Sequence, residues 1–146
     1  MPKARILLAD DNSGIIDHVS RLLNRTGKYD VVAAVTDGNA VLRLHAKLQP
    51  QVMVLDISLG KVSGIDLARQ LRDSGCQSKI VFLTVHEDPD FLEAAMGAGG
   101  SAYVVKSRLN LDLVSGIDAV LAGKIFVSGS LLYQQDQGSR QSPDST

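Results

Sequence analysis

The stretch "ILLADDNS", Ile6–Ser13, decides the fold. Apolar residues run straight into two adjacent carboxylates, Asp10 and Asp11, followed by Asn12 and Ser13. A short run without polar alternation reads as a strand covered on both faces, the habit of a parallel sheet. Such a strand ends by crowding like charges that repel and lose hydration in a cleft. Something positive is needed beside them.

Four further runs share this character: Val31–Val35, Val52–Leu55, Ile80–Leu83 and Ala102–Val105. Segments of helical period lie between and after them. Their apolar stripes are Ile15, Ile16, Val19, Leu22 and Leu23; Ala40, Val41, Leu44 and Leu48; Ile65, Leu67, Ala68 and Leu71; Phe91, Leu92, Ala95 and Met96; and Leu113, Val114, Ile117, Val120 and Leu121. Asp37 and Ser63 suit N-caps, and Gly27, Gly75 and the Gly97–Gly100 cluster suit helix stops. Five β-α repeats predict an α/β flavodoxin-like (βα)5 fold, a doubly wound parallel sheet of order 2-1-3-4-5.

The totals bound the function. The chain has 146 residues, 45% of them hydrophobic, and a formal net charge of -1. That is one domain with a core and no basic footprint, so neither direct nucleic-acid binding nor membrane association is expected. A lone cysteine, Cys76, excludes an internal disulfide and a cysteine-cluster metal site. No signal peptide is recognisable, and a cytoplasmic setting is expected. After Val127 the periodicity fades. Residues 1–127 are read as the domain, and 128–146 as a largely disordered tail or truncated linker.

The residues that end the runs carry the chemistry. They are Asp10 and Asp11, Asp56, Thr84, and Lys106. All fall at the carboxyl edge of a parallel sheet, where open α/β folds place their sites. One ammonium does not balance three carboxylates, and oxygen-only ligands favour a hard cation such as Mg²⁺. A carboxylate can attack phosphorus, a lysine can hold a phosphoryl oxygen, and a threonine can donate to one. Asp56, alone at the end of the central strand, is the candidate nucleophile.

At these residues "LLADDN", "VMVLDISLGKVSG", "VFLTVHE" and "AYVVKS" resemble the receiver domain of two-component response regulators, to about Ala122. "LLADD", "DGNAVLRL" and "AGKIFVS" resemble receivers of the NarL/FixJ type. The resemblance implies that Asp56 accepts a phosphoryl group from a histidine kinase or phosphotransfer protein. It implies Mg²⁺ on Asp11, Asp56 and the Ser58 backbone carbonyl, with Asp10 reaching it mainly through water. It makes Thr84 and Lys106 phosphoryl ligands, and Thr84 with Tyr103 the switch. On activation Tyr103 would turn inward and alter the face of the fourth helix, fifth strand and fifth helix, with homodimerisation or partner binding through it. The output would be transcriptional if a DNA-binding domain follows. A stand-alone receiver and a receiver with its linker both fit the sequence.

Three positions depart from the family pattern: Val85 where a small residue is usual, Gly60 where proline is common, and Ser107 after the lysine. Val85 is expected either to gate the path to Asp56 or to turn away and pack on the fourth helix. The geometry of the Lys106–Ser107 peptide is left open. An aspartate-nucleophile phosphatase would need an acid two residues after Asp56, where Ser58 stands, and a flavin module would want hydroxyls where "ADDNS" offers charge. The expectation is therefore a switch that catalyses only its own phosphorylation and dephosphorylation. His86 is assigned no role, and His18 and His45 are expected at the surface, away from the site edge.

Overall fold

In the computed structural model, residues 2–129 are described. The five runs become β1 (Ala4–Ala9), β2 (Tyr29–Val35), β3 (Val52–Asp56), β6 (Lys79–Thr84) and β7 (Ala102–Val105). Two short strands, β4 (Ser58–Leu59) and β5 (Val62–Ser63), form a hairpin just after Asp56, and β8 (Phe126–Val127) follows the last helix. The helices are α1 (Ser13–Thr26), α2 (Gly38–Leu48), α3 (Gly64–Asp73), α4 (Pro89–Gly97) and α5 (Leu109–Leu121). The main sheet has the order β2-β1-β3-β6-β7-β8, and every pairing in it is parallel. Its five long strands, counted along the chain, stand in the expected order 2-1-3-4-5.

Alternation along each strand divides the core in two, because successive side chains point to opposite faces. Ile6, Leu8, Val52, Val54, Val81 and Leu83 pack with Val19 and Leu23 of α1 and with Leu113, Ile117 and Val120 of α5. Leu7, Ala9, Met53, Leu55 and Phe82 pack with Val41 of α2, with Ile65, Ala68 and Leu71 of α3, and with Leu92 and Ala95 of α4. Helices thus cover both faces, which is why the runs lack polar alternation. Two stripe members deviate. Leu121 is exposed at the end of α5, and Phe91 leaves the core to stack on His86, with ring centroids 4.0 Å apart.

The caps follow residue chemistry. Asp37 accepts from the Ala40 N–H, and Ser63 from those of Ile65 and Asp66. α1 is capped by Asn12, whose side chain accepts from Gly14 and Ile15. The helix stop expected at the Gly97–Gly100 cluster falls there: α4 ends at Gly97, and Gly99 takes the left-handed turn at φ 106°. Gly60, at φ 65°, opens the two-residue turn of the hairpin, a backbone that proline cannot adopt.

β8 is the strand the periodicity did not reveal, since two residues carry no period. Ser128 beyond it is fully buried. The expected tail lies, from residue 130 on, outside the described residues.

Candidate functional site

The carboxyl edge brings the expected residues together. β1 and β3 are neighbours, so Asp10 follows Ala9 beside the strand that ends in Asp56. Thr84 ends β6, one residue past Leu83, the register partner of Asp56. Lys106 opens a single 3₁₀ turn, Lys106–Arg108, immediately after β7. Its Nζ lies 2.8 Å from Asp10 Oδ2 and 3.2 Å from Asp56 Oδ2. The positive partner that the opening stretch required is therefore Lys106. No cis peptide bond occurs among the described residues, Lys106–Ser107 included.

Each carboxylate has a different environment. Asp10 is fully buried, and its Oδ1 accepts the Asn12 N–H at 2.9 Å, bending the chain into α1. Asp56 is nearly buried, and its Oδ1 accepts the Ser58 N–H at 3.1 Å as the hairpin begins. Asp11 is exposed at the rim. Burial raises the pKa of Asp56, and the Asp10 charge raises it further, while the Ser58 N–H and Lys106 pull it down. Burial alone would lower the pKa of Lys106, but contact with Asp10 and Asp56 holds it above its ordinary value. Lys106 is thus a fixed ammonium over a wide pH range.

The donor set fits a hard cation. Asp10, Asp11 and Asp56 each place one oxygen within 4.8 Å of the others. Asp10 Oδ2 is buried and pairs with the Lys106 ammonium at 2.8 Å. An all-oxygen cluster with one ammonium for three acids leaves room for added positive charge.

Around Thr84 the structure corrects two expectations. Tyr103 is not on an outer strand. β8 covers β7, and Tyr103 is fully buried, donating its hydroxyl to the His86 carbonyl at 2.9 Å. Burial pushes that hydroxyl up to about 12. His86, given no role from sequence, joins these groups: its N–H donates to Thr84 Oγ1 at 3.0 Å, and its ring stacks on Phe91. Val85 points outward, 68% exposed, so it does not pack on α4.

His18 also departs from expectation. It is half-buried, contacts Asn110 Oδ1 at 2.7 Å, and lines a cleft with Lys106 and Ser107. Helical position alone could not show this, because the cleft is made by α1 against the chain after β7. Two supporting residues escaped the sequence. Asn12 was legible as an N-cap before an apolar stripe. Gly64 was not: a side chain there would run into the Asp56 carbonyl, so only glycine lets α3 begin this close to the end of β3.

A parallel sheet of five long strands between two layers of helices, with three acids, a threonine and a lysine at one edge, defines a receiver fold. The family model of the response regulator receiver domain matches residues 6–118, and the chain belongs to that family. Its members are signalling switches rather than turnover enzymes. The chain is 30% identical over 127 residues to the transcriptional regulatory protein DesR of Bacillus subtilis, covering 87% of this chain and 63% of that protein. The crystal structure of a LuxR-family two-component response regulator from Aurantimonas sp. SI85-9A1 superposes with a TM-score of 0.90 at 31% identity, covering 96% of this chain and 100% of that one. The receiver domain of RcsB from Salmonella enterica shares the fold, with a TM-score of 0.83 at 24% identity over 90% of this chain and 98% of that one. The chain spans about three fifths of the length of the curated relatives it matches. No helix among the described residues is long and apolar enough to cross a membrane.

Proposed function

We propose that Asp56 accepts a phosphoryl group from a histidine kinase or phosphotransfer protein in the cytoplasm, and that residues 1–127 act as the switch. The observation that carries this is Asp56 Oδ2 held 3.2 Å from the Lys106 ammonium, with two more carboxylates clustered beside it. Asp11, Asp56 and the Ser58 carbonyl would hold Mg²⁺, with Asp10 behind them. When bound, the ion offsets the negative charge of acids and phosphoryl oxygens.

The chain's own residues divide the work. The Asp56 carboxylate attacks phosphorus, the bond to the donor's leaving atom breaks, and the donor departs with that electron pair. The Ser58 N–H and Lys106 orient the carboxylate before attack. Lys106 then offers its charge to a phosphoryl oxygen. Thr84 Oγ1 accepts from the His86 N–H, and its own hydroxyl proton would be the one donated to another phosphoryl oxygen. Water later cleaves the acyl phosphate and restores Asp56. Shifts at Thr84 pass through His86 to Tyr103 and to the face of α4, β7 and α5, where a second copy or an output element would bind. A transcriptional output, through a DNA-binding domain in the whole protein, fits the relatives' names.

Intact-mass measurement with acetyl phosphate and Mg²⁺ tests the reading. The wild type gains one phosphoryl group and Asp56→Asn gains none. An unchanged wild-type mass, or full labelling of Asp56→Asn, overturns it.

A further inference from the structure

After α5 the chain turns back and runs parallel along β7, with Ala102 opposite Phe126 and Tyr103 opposite Val127. The Phe126 N–H donates to the Ser101 carbonyl at 3.1 Å, and the Ser128 N–H to the Tyr103 carbonyl at 2.9 Å. The next rung differs. In a parallel ladder the Val105 N–H would meet a backbone carbonyl. Here it donates to Ser128 Oγ at 3.0 Å.

Ser128 is fully buried. A hydroxyl in such a place costs free energy unless bonded, and a lost acceptor would strand the Val105 amide. The segment is anchored on both sheet faces. Phe126 packs with the core under α5, lying so close to Gly116 that an added side chain would crowd its ring, and Val127 packs with the opposite core. Val105 is the register partner of Thr84 and the residue before Lys106. The hydroxyl therefore fixes the point from which the chain leaves β7 to deliver Lys106.

We propose that Phe126–Ser128 is a strap that positions Lys106 at the Asp56 site, with Ser128 as the positioning residue acting through the Val105 amide. This rests on Asp56 being the phosphoacceptor. Lysine is a long, flexible side chain, so holding its Nζ between two carboxylates demands a fixed backbone origin. Coupling of this kind is reciprocal: whatever the docked strap adds to site affinity, site occupancy returns to strap docking. Gly129, next in the chain, already lies beside the Arg108 guanidinium, so the strap ends at the same sheet edge as the site.

Two measurements test the strap. Phosphorylation by acetyl phosphate with Mg²⁺ is timed for the wild type, Ser128→Ala and Ser128→Thr, well below their unfolding midpoints. Ser128→Ala is expected to react about three- to tenfold more slowly, as a displaced catalytic group does, with Ser128→Thr recovering most of the rate. A Ser128→Ala variant that is folded, less stable and as fast as the wild type would overturn the proposal. The second measurement needs no variant: exchange of the Val105 and Ser128 amides in the wild type, with and without beryllium fluoride and Mg²⁺. Slower exchange on binding supports coupling, and identical exchange overturns it. A wild type that takes up no phosphoryl group at all would instead defeat the assignment of Asp56, and Asp56→Asn marks that baseline.

Discussion

Gly64→Ala should damage both stability and site, and the structure sets the scale. A methyl group at Gly64 would lie 2.1 Å from the Asp56 carbonyl oxygen, roughly 1 Å inside the closest approach that side chains make, about 3.0 Å. Both walls are backbone, because the added carbon also meets the Asp56 carbonyl carbon and Ile57 Cα at 3.0 Å. No rotamer relieves that contact. Either α3 retreats and stretches the 2.6 Å bond from the Gly64 N–H to the Ile57 carbonyl, or the end of β3 moves. Overpacking costs typically about 1–3 kcal/mol. Alanine's better helix propensity offsets at most about 1 kcal/mol. A net loss of about 1–2 kcal/mol is expected, read as the urea midpoint by far-ultraviolet circular dichroism because the chain has no tryptophan. The kinetic effect should be larger than that suggests. A shift of about 1 Å in a reacting group can cost about a hundredfold in rate, so phosphorylation followed by intact mass should fall by one to two orders of magnitude while the variant remains folded. A Gly64→Ala protein with unchanged midpoint and unchanged rate would refute the close-contact argument.

Val85→Ala should leave stability within about 0.5 kcal/mol, since the side chain is exposed. It should speed both uptake and loss of the phosphoryl group if Val85 crowds the path to Asp56, and unaltered rates would discard the gate. Mg²⁺ should raise the unfolding midpoint of the wild type with increasing concentration, by linkage to the native state alone. Asp11→Asn should blunt that rise, and an identical titration would remove Asp11 from the site. Tyr29 donates its hydroxyl to Asp118, which also pairs with Lys28 at 2.7 Å. Burial and Asp118 raise the Tyr29 pKa above its ordinary value. Its contribution is therefore complete below about pH 10, the unfolded tyrosine value, and is lost as pH rises beyond it. Tyr29→Phe should flatten the alkaline fall in stability, though not abolish it, because buried Tyr103 titrates high as well; an unchanged alkaline limb would sink the assignment.

The fold was legible because burial on both sheet faces writes itself into sequence as unbroken apolar runs, and β1, β3 and β6 each held their place. The site was legible because a parallel sheet turns five strand-end positions into one neighbourhood. What stayed hidden depends on contacts between elements, which the pattern of no single element records. Phe91 sat on an apolar stripe, and only the position of His86 decides that it stacks there. Tyr103 read as an outer-strand residue because two residues of β8 are too few to show a period. Gly64 resembles any helix-opening glycine until the Asp56 carbonyl is seen against it. His18 lies on α1, and nothing in a helical pattern says that Asn110 and the turn after β7 close over it.

Lys106 enters the site from a strand made long after the acids it serves, 50 residues beyond Asp56. During synthesis β1, β2 and β3 emerge before β6 and β7, and their pairing alone would make a partial sheet. That partial sheet gathers Asp10, Asp11 and Asp56 at one edge without the ammonium that later holds two of them. Mutual repulsion therefore penalises early closure of the amino-terminal half and favours docking that waits for β6 and β7. The charge arrangement of the finished site thus also bears on assembly, because the last pieces of the sheet bring the counter-ion for the acids on the first.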